Sequence, residues 1–339
     1  MASVVLGMSG GVDSCAAAII LKEKGYDVVA LYFDVLPNGN PEGLLRAKTA
    51  AKSLGLDFVY KDISKEFDDT IINYFCSEYC KGNTPTPCVF CNPLIKFNVL
   101  SSLDTDYIAS GHYADIVFEN GTYFVKIAAN EEKDQSYMLA RLPQDILKKT
   151  IFPLAEIKNK DETRNLVSKY NIEIAGAKDS QDICFVNGSY KDFLRERSID
   201  SLKGNFINED GKNLGPHKGI ANYTIGQRKG LGIALGEPAF IKSIDSVTGD
   251  IILSTNESCL MSKEVYITNL LLNAKIDNSD YFVKLRYAAK PAKCKIRVAG
   301  DEAKLIFEDS QRAPTPGQAA VIYRNNLVIG SGIIYNKML

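Results

Sequence analysis

Two cysteines that stand three residues apart, Cys88 and Cys91, lie behind two prolines in the segment TPTPCVFCN at residues 84–92. This spacing suits several kinds of chemistry: half of a zinc site, a structural disulfide, a redox pair or a catalytic thiol. A third cysteine, Cys184, lies in the segment DICF. Its residue type alone is equally compatible with a buried strand position and with a reactive thiol.

The segment SGGVDS at residues 9–14 is a candidate phosphate-binding loop. Gly10 and Gly11 allow backbone N–H groups to point at an oxyanion, and the helix that follows aims its positive N-terminal end at the same point. Ser9 and Ser14 add hydroxyl donors, whereas Asp13 is unexpected in an anion site unless a Mg²⁺ ion bridges it to the phosphate. The chain contains neither GxxxxGK[ST] nor GxGxxG, so neither a Walker ATPase loop nor a dinucleotide fingerprint is predicted.

Alternating strands and helices in the first half of the chain would position these residues. Predicted strands cover residues 3–8, 27–33 and 56–62, and residues 107–113 form a fourth strand with its following loop. Predicted helices cover residues 14–25, 41–55, 67–82 and 161–171. A β-hairpin is predicted over residues 114–127, with its turn at Asn120 and Gly121. This alternation predicts a parallel α/β sheet with right-handed crossovers.

The second half of the chain has a different residue composition and a different hydrophobic pattern. Residues 204–236 are rich in glycine, and short alternating segments that begin with DIILST at residue 250 predict a small antiparallel β-barrel. We therefore predict three domains: an α/β N-terminal domain with a parallel sheet over residues 1–190, a small central domain over residues 191–249, and a C-terminal antiparallel β-barrel over residues 250–339.

Composition excludes several classes of protein. The 339 residues are 45% hydrophobic and 24% charged, and the net charge of −1 excludes a globally basic nucleic-acid binder. Residues 284–297 nevertheless hold six basic and no acidic side chains, which suits either a phosphate backbone or a solvated strand face. No apolar run approaches the roughly 18 residues of a membrane span. We expect a cytoplasmic protein with no membrane partner. Its eight cysteines favour metal, cluster or thiol chemistry over a disulfide scaffold, although the apolar or alternating surroundings of Cys15, Cys259 and Cys294 favour small core residues at those three positions.

A series of short segments resembles one enzyme family. SGGVDS directly after the first strand resembles the pyrophosphate loop of the ATP-pyrophosphatase superfamily, whose N-terminal fold is similar to the adenine-nucleotide alpha-hydrolases. The complete series resembles the tRNA-specific 2-thiouridylase family over essentially the whole chain. Its further segments, in order, are NTPTP, CN, IKF, GHY, DQSY, DSQ, ICF, YTIGQRKGLG and TPGQ.

The resemblance implies an ATP-dependent tRNA-uridine 2-sulfurtransferase that acts on the wobble uridine at position 34 of tRNA. ATP, with Mg²⁺, would adenylate the C2 oxygen of the uridine. The sulfur would come from a cysteine persulfide that a sulfur-relay protein or a cysteine desulfurase loads. By motif, Cys184 would carry the persulfide, and Cys91 would be the nucleophile that ends in a disulfide bond with it.

The resemblance also implies binding residues. The ATP contacts would be Gly7, Met8, Ser9, Gly10, Gly11, Val12, Asp13, Ser14, Phe33 and Gly111. The tRNA contacts would be His112, Asp134, Gln135, Ser136, Arg286, Tyr287 and Gln318. Candidate sources of the positive potential that a reactive thiol needs are Lys96, Lys178 and a helix that starts after Pro93.

The chain departs from the family pattern at Cys88. The commoner form reads NPDxxCN, and Cys88 stands in place of its Asp, which puts the expected contact of Thr86 to Cys88 with the target base in doubt. Cys88, Cys91 and Cys184 would also suit a four-iron, four-sulfur (4Fe–4S) cluster whose free iron binds hydrosulfide. The sequence leaves open the persulfide route, the cluster route and a structural zinc with Cys76 or Cys80 as fourth ligand. Another adenylating ATP-pyrophosphatase and a non-catalytic RNA-binding protein are the competing functions.

Overall fold

Two compact units make up the structure, a computed structural model that describes residues 1–170, 183–233 and 236–336. Lys178, a candidate source of positive charge, lies outside the described residues. The first unit comprises Met1–Ile71, Cys88–Phe185 and Asn325–Ile329, and the second comprises Ile72–Pro87, Val186–Arg324 and Gly330–Leu339.

A five-stranded parallel sheet forms the centre of the first unit, which confirms the predicted α/β class. The strands of this unit are β1 (Ser3–Gly7), β2 (Asp27–Asp34), β3 (Asp57–Asp62), β4 (Tyr107–Ser110), β5 (Asp115–Glu119), β6 (Thr122–Lys126) and β7 (Thr150–Ile151). The sheet order is β3-β2-β1-β4-β7, and β5 and β6 form the predicted antiparallel hairpin. Val4, Val5 and Leu6 are fully buried, as expected for a strand that is covered on both faces.

The order of the strands reverses beside β1. The chain passes from β1 outward to β2 and β3, and then returns to place β4 on the other side of β1. A reversal of this kind opens a crevice at the carboxyl ends of the two central strands, which is where open α/β sheets bind ligands. The predicted phosphate loop follows β1, and the segment Gly111–His112–Tyr113 follows β4.

Helices connect the strands, and the first of them starts at Val12, within the predicted phosphate loop. The helices are α1 (Val12–Glu23), α2 (Pro41–Ser53), α3 (Ser64–Phe67), α4 (Asn73–Cys80), α5 (Pro87–Cys91), α6 (Phe97–Ser101), α7 (Gln144–Lys149), α8 (Lys160–Ser168) and α9 (Tyr190–Glu196). The π-helical turns Asp68–Ile72 and Asn92–Lys96 join α3 to α4 and α5 to α6.

The predicted helix start after Pro93 is wrong. Helix α5 begins at Pro87, where a residue without an N–H group is tolerated because first-turn N–H groups have no partner within the helix. Cys88 and Cys91 therefore lie inside a helix, three residues apart on one face. Pro93 falls in the π-helical turn that continues the helix.

The second unit holds a small sheet and a barrel. The small sheet has the order β10-β11-β8-β9, and the antiparallel barrel has the order β12-β15-β14-β13-β16-β17, closed by pairing of β12 with β17. The predicted central domain and barrel architecture is thus confirmed. The strands are β8 (Asn205–Asn208), β9 (Asn213–Pro216), β10 (Phe240–Ile244), β11 (Ile251–Ser254), β12 (Met261–Leu272), β13 (Tyr281–Lys284), β14 (Ala292–Ala299), β15 (Glu302–Arg312), β16 (Ala319–Arg324) and β17 (Leu327–Tyr335).

The segment DIILST does not belong to the barrel, contrary to the sequence prediction. Its strand β11 pairs with β10 on one side and with β8 on the other, both in the small sheet. A short alternating segment indicates a strand with one buried face but does not specify which strand it will pair with.

Gly10 sets the close approach of the phosphate loop to helix α2. Its φ is +73°, and a Cβ atom at this position would lie 2.6 Å from the backbone N of Ala47 and from the carbonyl carbon of Arg46. Backbone atoms of a packed helix cannot move aside as a flexible side chain can. Gly25 has a similar φ of +81°, but an added Cβ would meet no atom within 4 Å.

We expect Gly10→Ala to destabilise the protein by about 2 kcal/mol more than Gly25→Ala. Both substitutions place a Cβ in the left-handed region, at a strain of roughly 1–2 kcal/mol, and only Gly10→Ala adds a clash with backbone. In thermal unfolding the extra loss corresponds to a Tm lower by about 5 °C. Equal Tm values for the two variants would contradict the close packing of the loop on α2.

Candidate active site

The phosphate loop is held open by hydrogen bonds among its own residues. The Ser14 hydroxyl donates to the Gly11 carbonyl at 3.0 Å, and the Ser9 and Ser14 hydroxyl oxygens lie 3.2 Å apart. An added Cβ at Gly11 would meet only the Ser9 hydroxyl, at 3.5 Å, so this part of the backbone faces open space. An anion can therefore approach the N–H groups at the start of α1.

Asp13 is engaged by two partners from distant parts of the chain. The Lys160 ammonium donates to both carboxylate oxygens of Asp13 at 2.8 Å, and the Tyr113 hydroxyl donates to Oδ1 at 2.8 Å. Gly111 permits this arrangement, because an added Cβ there would lie 3.1 Å from the backbone of Asp13 and Ser14. The loops after β1 and β4 are therefore packed against each other at the strand reversal.

The remaining predicted nucleotide residues line the same edge of the sheet. Gly7 ends β1, Met8 is buried, and the Met8 N–H donates to the Leu31 carbonyl of β2 at 2.8 Å. Val12 is the first residue of α1, and Phe33 is half-buried next to the last residue of β2. These positions suit an adenosine group that lies across the ends of β1 and β2.

The three cysteines differ in exposure. Cys91 is 4% exposed, Cys88 is half-buried and Cys184 is exposed, and all three are free thiols. Cys91 and Cys184 nevertheless lie near enough to interact electrostatically. Charge on Cys184 is one of the causes that raise the pKa of Cys91. An exposed thiol can meet another protein, whereas a buried thiol can act only on what enters its pocket.

Lys96 is the cation that faces these thiols. Burial raises the pKa of Cys91 to about 12, while the Lys96 ammonium and the Lys96 backbone N–H, in the π-helical turn five residues on, act to lower it. Burial also raises the pKa of Cys88, again opposed by Lys96. Burial alone would lower the pKa of Lys96, but negative charge on Cys91, Cys184 and Cys88 raises it overall. Lys96 is thus a fixed positive charge for a thiolate in this cluster.

His112 lies near Lys96 and is neutral near pH 7. Burial and then the charge of Lys96 lower the pKa of His112 to about 3. Its Nδ1 lies 2.8 Å from the Ser110 hydroxyl, and its ring stacks on Phe97 at a centroid distance of 6.2 Å. A neutral, fixed imidazole can orient a substrate by hydrogen bonding without adding charge to the thiol cluster.

Known proteins match this chain along nearly its whole length. Family profiles described as "tRNA methyl transferase HUP domain", "tRNA methyl transferase PRC-barrel domain" and "Aminomethyltransferase beta-barrel domain" match residues 2–188, 191–255 and 262–334. Curated relatives named tRNA-specific 2-thiouridylase MnmA occur in Clostridium botulinum, at 39% identity over 98% of both chains, and in Clostridium acetobutylicum, at 38% identity over 98% of this chain and 99% of the relative.

The chain belongs to the tRNA-specific 2-thiouridylase family. The profile descriptions mention methyl transfer, whereas the relatives' names specify thiolation. A phosphate loop and a cluster of thiols around a lysine suit thiolation, because activated oxygen and reactive sulfur are both needed for it and neither is needed to transfer a methyl group.

Residues Asp134, Gln135 and Ser136 form a turn that supports the loop after β4. Asp134 and Ser136 are buried, and the Ser136 hydroxyl donates to Asp134 at 2.6 Å. The Gln135 side chain accepts from the Tyr113 N–H at 2.9 Å, and the Gln135 N–H donates to the Tyr113 carbonyl at 2.7 Å. The turn therefore fixes Tyr113 and, through it, Asp13.

The predicted tRNA residues of the barrel also have protein partners. Arg286 donates to the Ala313 carbonyl at 2.8 Å and to the Thr315 hydroxyl, while Tyr287 is 38% exposed. Gln318 donates to the Thr84 carbonyl at 2.7 Å, in the segment that leads into α5. Among these three residues, Tyr287 presents the most accessible surface to an RNA.

The basic segment of the barrel is partly neutralised. Lys293 forms ion pairs with Asp280 at 3.1 Å and with Glu308 at 3.3 Å. Cys294 is buried, whereas Lys295 and Arg297 are exposed. Lys295 and Arg297 are thus better placed than Lys293 to attract phosphate groups.

The cysteines as placed do not fit an iron–sulfur cluster. Within residues 1–170, 183–233 and 236–336, no three His, Cys, Asp or Glu side chains are grouped so that they could hold a metal ion. Mg²⁺ is a different case, because it commonly binds through one carboxylate together with substrate phosphates, and Asp13 supplies such a carboxylate in the phosphate loop.

The described chain also has no helix that is long and apolar enough to cross a membrane.

Sequence reasoning missed Lys160 and the role of Tyr113. Lys160 lies 147 residues from Asp13 along the chain, so no local motif joins them. One signal was available: Lys160 is the first residue of α8, where the helix dipole disfavours a cation unless an acidic group faces it.

We expect iodoacetamide, which reacts with thiolates, to label Cys184 well before Cys91 at pH 7.5. Because the pKa of Cys91 is raised to about 12, labelling of Cys91 should accelerate as the pH rises toward that value. Lys96→Met should slow labelling of Cys91 at every pH, since it removes the charge that stabilises the thiolate, and Lys148→Met on the exposed face of α7 should not. Peptide mass spectrometry measures both rates. Equal labelling of Cys91 and Cys184 at pH 7.5 would contradict the burial of Cys91.

Proposed function

We propose that this protein uses ATP to replace the C2 oxygen of the wobble uridine, position 34 of tRNA, with sulfur. The observation that carries the proposal is the pairing of two sites in one compact unit: a phosphate loop at the strand reversal, and a cluster of Cys91, Cys184 and Cys88 around Lys96. Its relatives named tRNA-specific 2-thiouridylase MnmA support the same substrate.

The first step would activate the uridine. Its C2 oxygen attacks the α-phosphorus of ATP, and pyrophosphate leaves toward the N–H groups at the start of α1. The Ser9 and Ser14 hydroxyls are placed to donate to the departing phosphates, and Mg²⁺ on Asp13 would neutralise part of their charge. The adenylated oxygen is then a good leaving group.

The second step would deliver sulfur from a persulfide on Cys184. The exposure of Cys184 supports loading by another protein, a sulfur-relay protein or a cysteine desulfurase. The terminal sulfur bonds to C2 of the uridine, and AMP leaves with the former C2 oxygen. The Cys91 thiolate then attacks the Cys184 sulfur, which frees the thiolated tRNA and leaves a Cys91–Cys184 disulfide. An external thiol reductant must reduce this disulfide before the next turnover.

Lys96 would ease the main difficulty of the second step. Cys91 is buried and its pKa is raised to about 12 even beside Lys96, so the thiol is protonated near pH 7 in the empty site. The Lys96 ammonium and its backbone N–H group act to lower this pKa and would stabilise the thiolate once it forms. A protected thiol that becomes reactive only within an occupied site also avoids unproductive oxidation.

Two surfaces would contact the tRNA: the loop after β4 in the first unit, and the barrel in the second. Neutral His112 is suited to orient the uridine, and Tyr287 with Lys295 and Arg297 offers an aromatic and basic surface for the RNA. Thr86, at the family's base-contact position, has a buried hydroxyl without a hydrogen-bond partner in the described structure, which suits a polar group of the base. A tRNA substrate and free thiols are consistent with a cytoplasmic location.

We expect the purified protein to thiolate tRNA when given ATP, Mg²⁺ and a persulfide donor, and organomercury gel electrophoresis detects the thiolated product. Cys184→Ser and Cys91→Ser should reduce product by at least about a thousandfold, because each removes an atom that forms a bond in the mechanism. Cys88→Ala and the control Cys259→Ala should retain most of the activity. Unchanged thiolation by Cys184→Ser would disprove the persulfide route.

The cluster route makes an opposite prediction for Cys88. If Cys88 held a 4Fe–4S cluster, anaerobically purified protein would be brown, and Cys88→Ala would lose both iron and activity together. The persulfide route predicts a colourless protein whose activity does not depend on bound iron. Iron and sulfide analysis beside the thiolation assay separates the two.

A further inference from the structure

Two lysines of the second unit, Lys191 and Lys218, border the same tyrosine, Tyr223. The Lys191 ammonium lies 5.6 Å from the centre of the Tyr223 ring. The Lys218 backbone N–H donates to the Tyr223 hydroxyl at 3.4 Å. Lys191 is half-buried near the start of α9, and Lys218 is exposed in the segment after β9. These two parts of the chain thus meet at one side chain and bring two cations together.

Neither lysine has an acidic partner. Among the residues that the structure describes, no carboxylate forms an ion pair with Lys191 or Lys218. Asp192, the neighbour of Lys191 in the chain, pairs instead with Arg195. Burial and then the positive charge of Lys218 lower the pKa of Lys191. The two ammonium groups therefore repel each other, and an anion bound between them would remove that repulsion.

Aromatic rings hold the Lys191 ammonium in place. It lies 5.9 Å from the ring centre of Tyr190 as well as 5.6 Å from that of Tyr223, within the range of about 6 Å over which a ring attracts a cation. Tyr190 in turn stacks on Tyr79 at a centroid distance of 4.5 Å. Tyr223 is buried and lies 5.3 Å from the Phe206 ring. Both rings are fixed by their own packing, so the cation is in position before a ligand arrives.

The segment that carries the two lysines is positively charged. Residues 186–233 hold eight Lys or Arg and five Asp or Glu side chains, a net charge of +3, whereas the whole chain has a net charge of −1. RNA carries a phosphate on every nucleotide, so it gains from the whole positive segment as well as from the lysine pair. A single free anion gains from the pair alone. The charge distribution therefore favours RNA as the occupant.

We propose that Lys191 and Lys218 form a binding site for one backbone phosphate of tRNA. The inference rests on the proposed function, which supplies tRNA as the substrate, and it adds a third surface to the loop after β4 and the barrel. Both ammonium groups would donate to oxygens of the same phosphate, while the tyrosine rings keep Lys191 in position. Such a contact reaches the backbone and not the base edges, so it carries no sequence information. The site would position the tRNA without selecting the wobble base.

The test is tRNA binding by the double variant Lys191→Met/Lys218→Met. Fluorescence anisotropy with an unmodified tRNA transcript gives Kd over a series of KCl concentrations, without ATP or a sulfur donor. We expect Kd to rise about tenfold at about 50 mM KCl, and the slope of log Kd against log[KCl] to fall by about one, because one phosphate contact is lost. Lys191→Arg/Lys218→Arg should recover most of the affinity, since it keeps both charges.

Lys81→Met/Lys242→Met is the matched control, because it removes two charges from the same unit. Lys81 pairs with Glu78 and Lys242 with Glu209, each at 2.7 Å. This control should change neither Kd nor the salt slope. Equal losses in the two Met variants would indicate an effect of overall charge and would overturn the site.

Two further outcomes separate the inference from its alternatives. Isothermal titration calorimetry with inorganic phosphate tests a free anion as the occupant. If phosphate binds to the unaltered protein and not to Lys191→Met/Lys218→Met, while both bind tRNA equally, the site takes a free anion and the inference is overturned. Normal tRNA binding by this variant would overturn the inference alone, whereas an unaltered protein that binds no tRNA would overturn the proposed function with it.

Discussion

The parallel pairing of β1 with β2 on one side and with β4 on the other is the constraint on which the rest of the site depends. Because the chain runs outward in opposite directions from β1, a crevice forms at the carboxyl ends of β1 and β4, and the loops after these strands line it. The phosphate loop fills one side and Gly111–His112–Tyr113 the other. Gly10, pressed against α2, and Gly111, pressed against α1, show how little space separates these loops from their neighbours.

A conflict between burial and reactivity governs the thiol site. Burial protects Cys91 but raises its pKa to about 12, which is the wrong direction for a nucleophile near pH 7. The π-helical turn after α5 reduces this conflict without removing it, because Lys96 at the end of the turn acts to lower the pKa of Cys91, which nevertheless stays raised. Cys184 has the opposite property: its exposure allows it to meet a donor protein, and its charge acts on the pKa of Cys91.

Features that depend on neighbouring residues could be predicted from the sequence. The strand, Gly-Gly turn and helix around SGGVDS are local, and so are the alternating patterns that predicted the parallel sheet and the barrel. Partners distant in the chain could not be predicted. No local sequence pattern indicates which distant segments will meet. Three contacts are of this kind: the pairing of β11 with the small sheet, the contact of Lys160 with Asp13, and the hydrogen bond from Gln318 to the Thr84 carbonyl. The burial of Asp134 and Ser136 likewise became visible only when the turn they form was seen beneath Tyr113.

The central claim is that ATP activates the C2 oxygen of the wobble uridine at this crevice, and isotope transfer tests it most directly. An anticodon stem-loop with ¹⁸O at C2 of the target uridine would be incubated with the protein, ATP, Mg²⁺ and a persulfide donor, and the nucleotide products would be analysed by mass spectrometry. The mechanism predicts one ¹⁸O atom in each AMP formed and none in pyrophosphate. Thiolated product accompanied by AMP without ¹⁸O would contradict it.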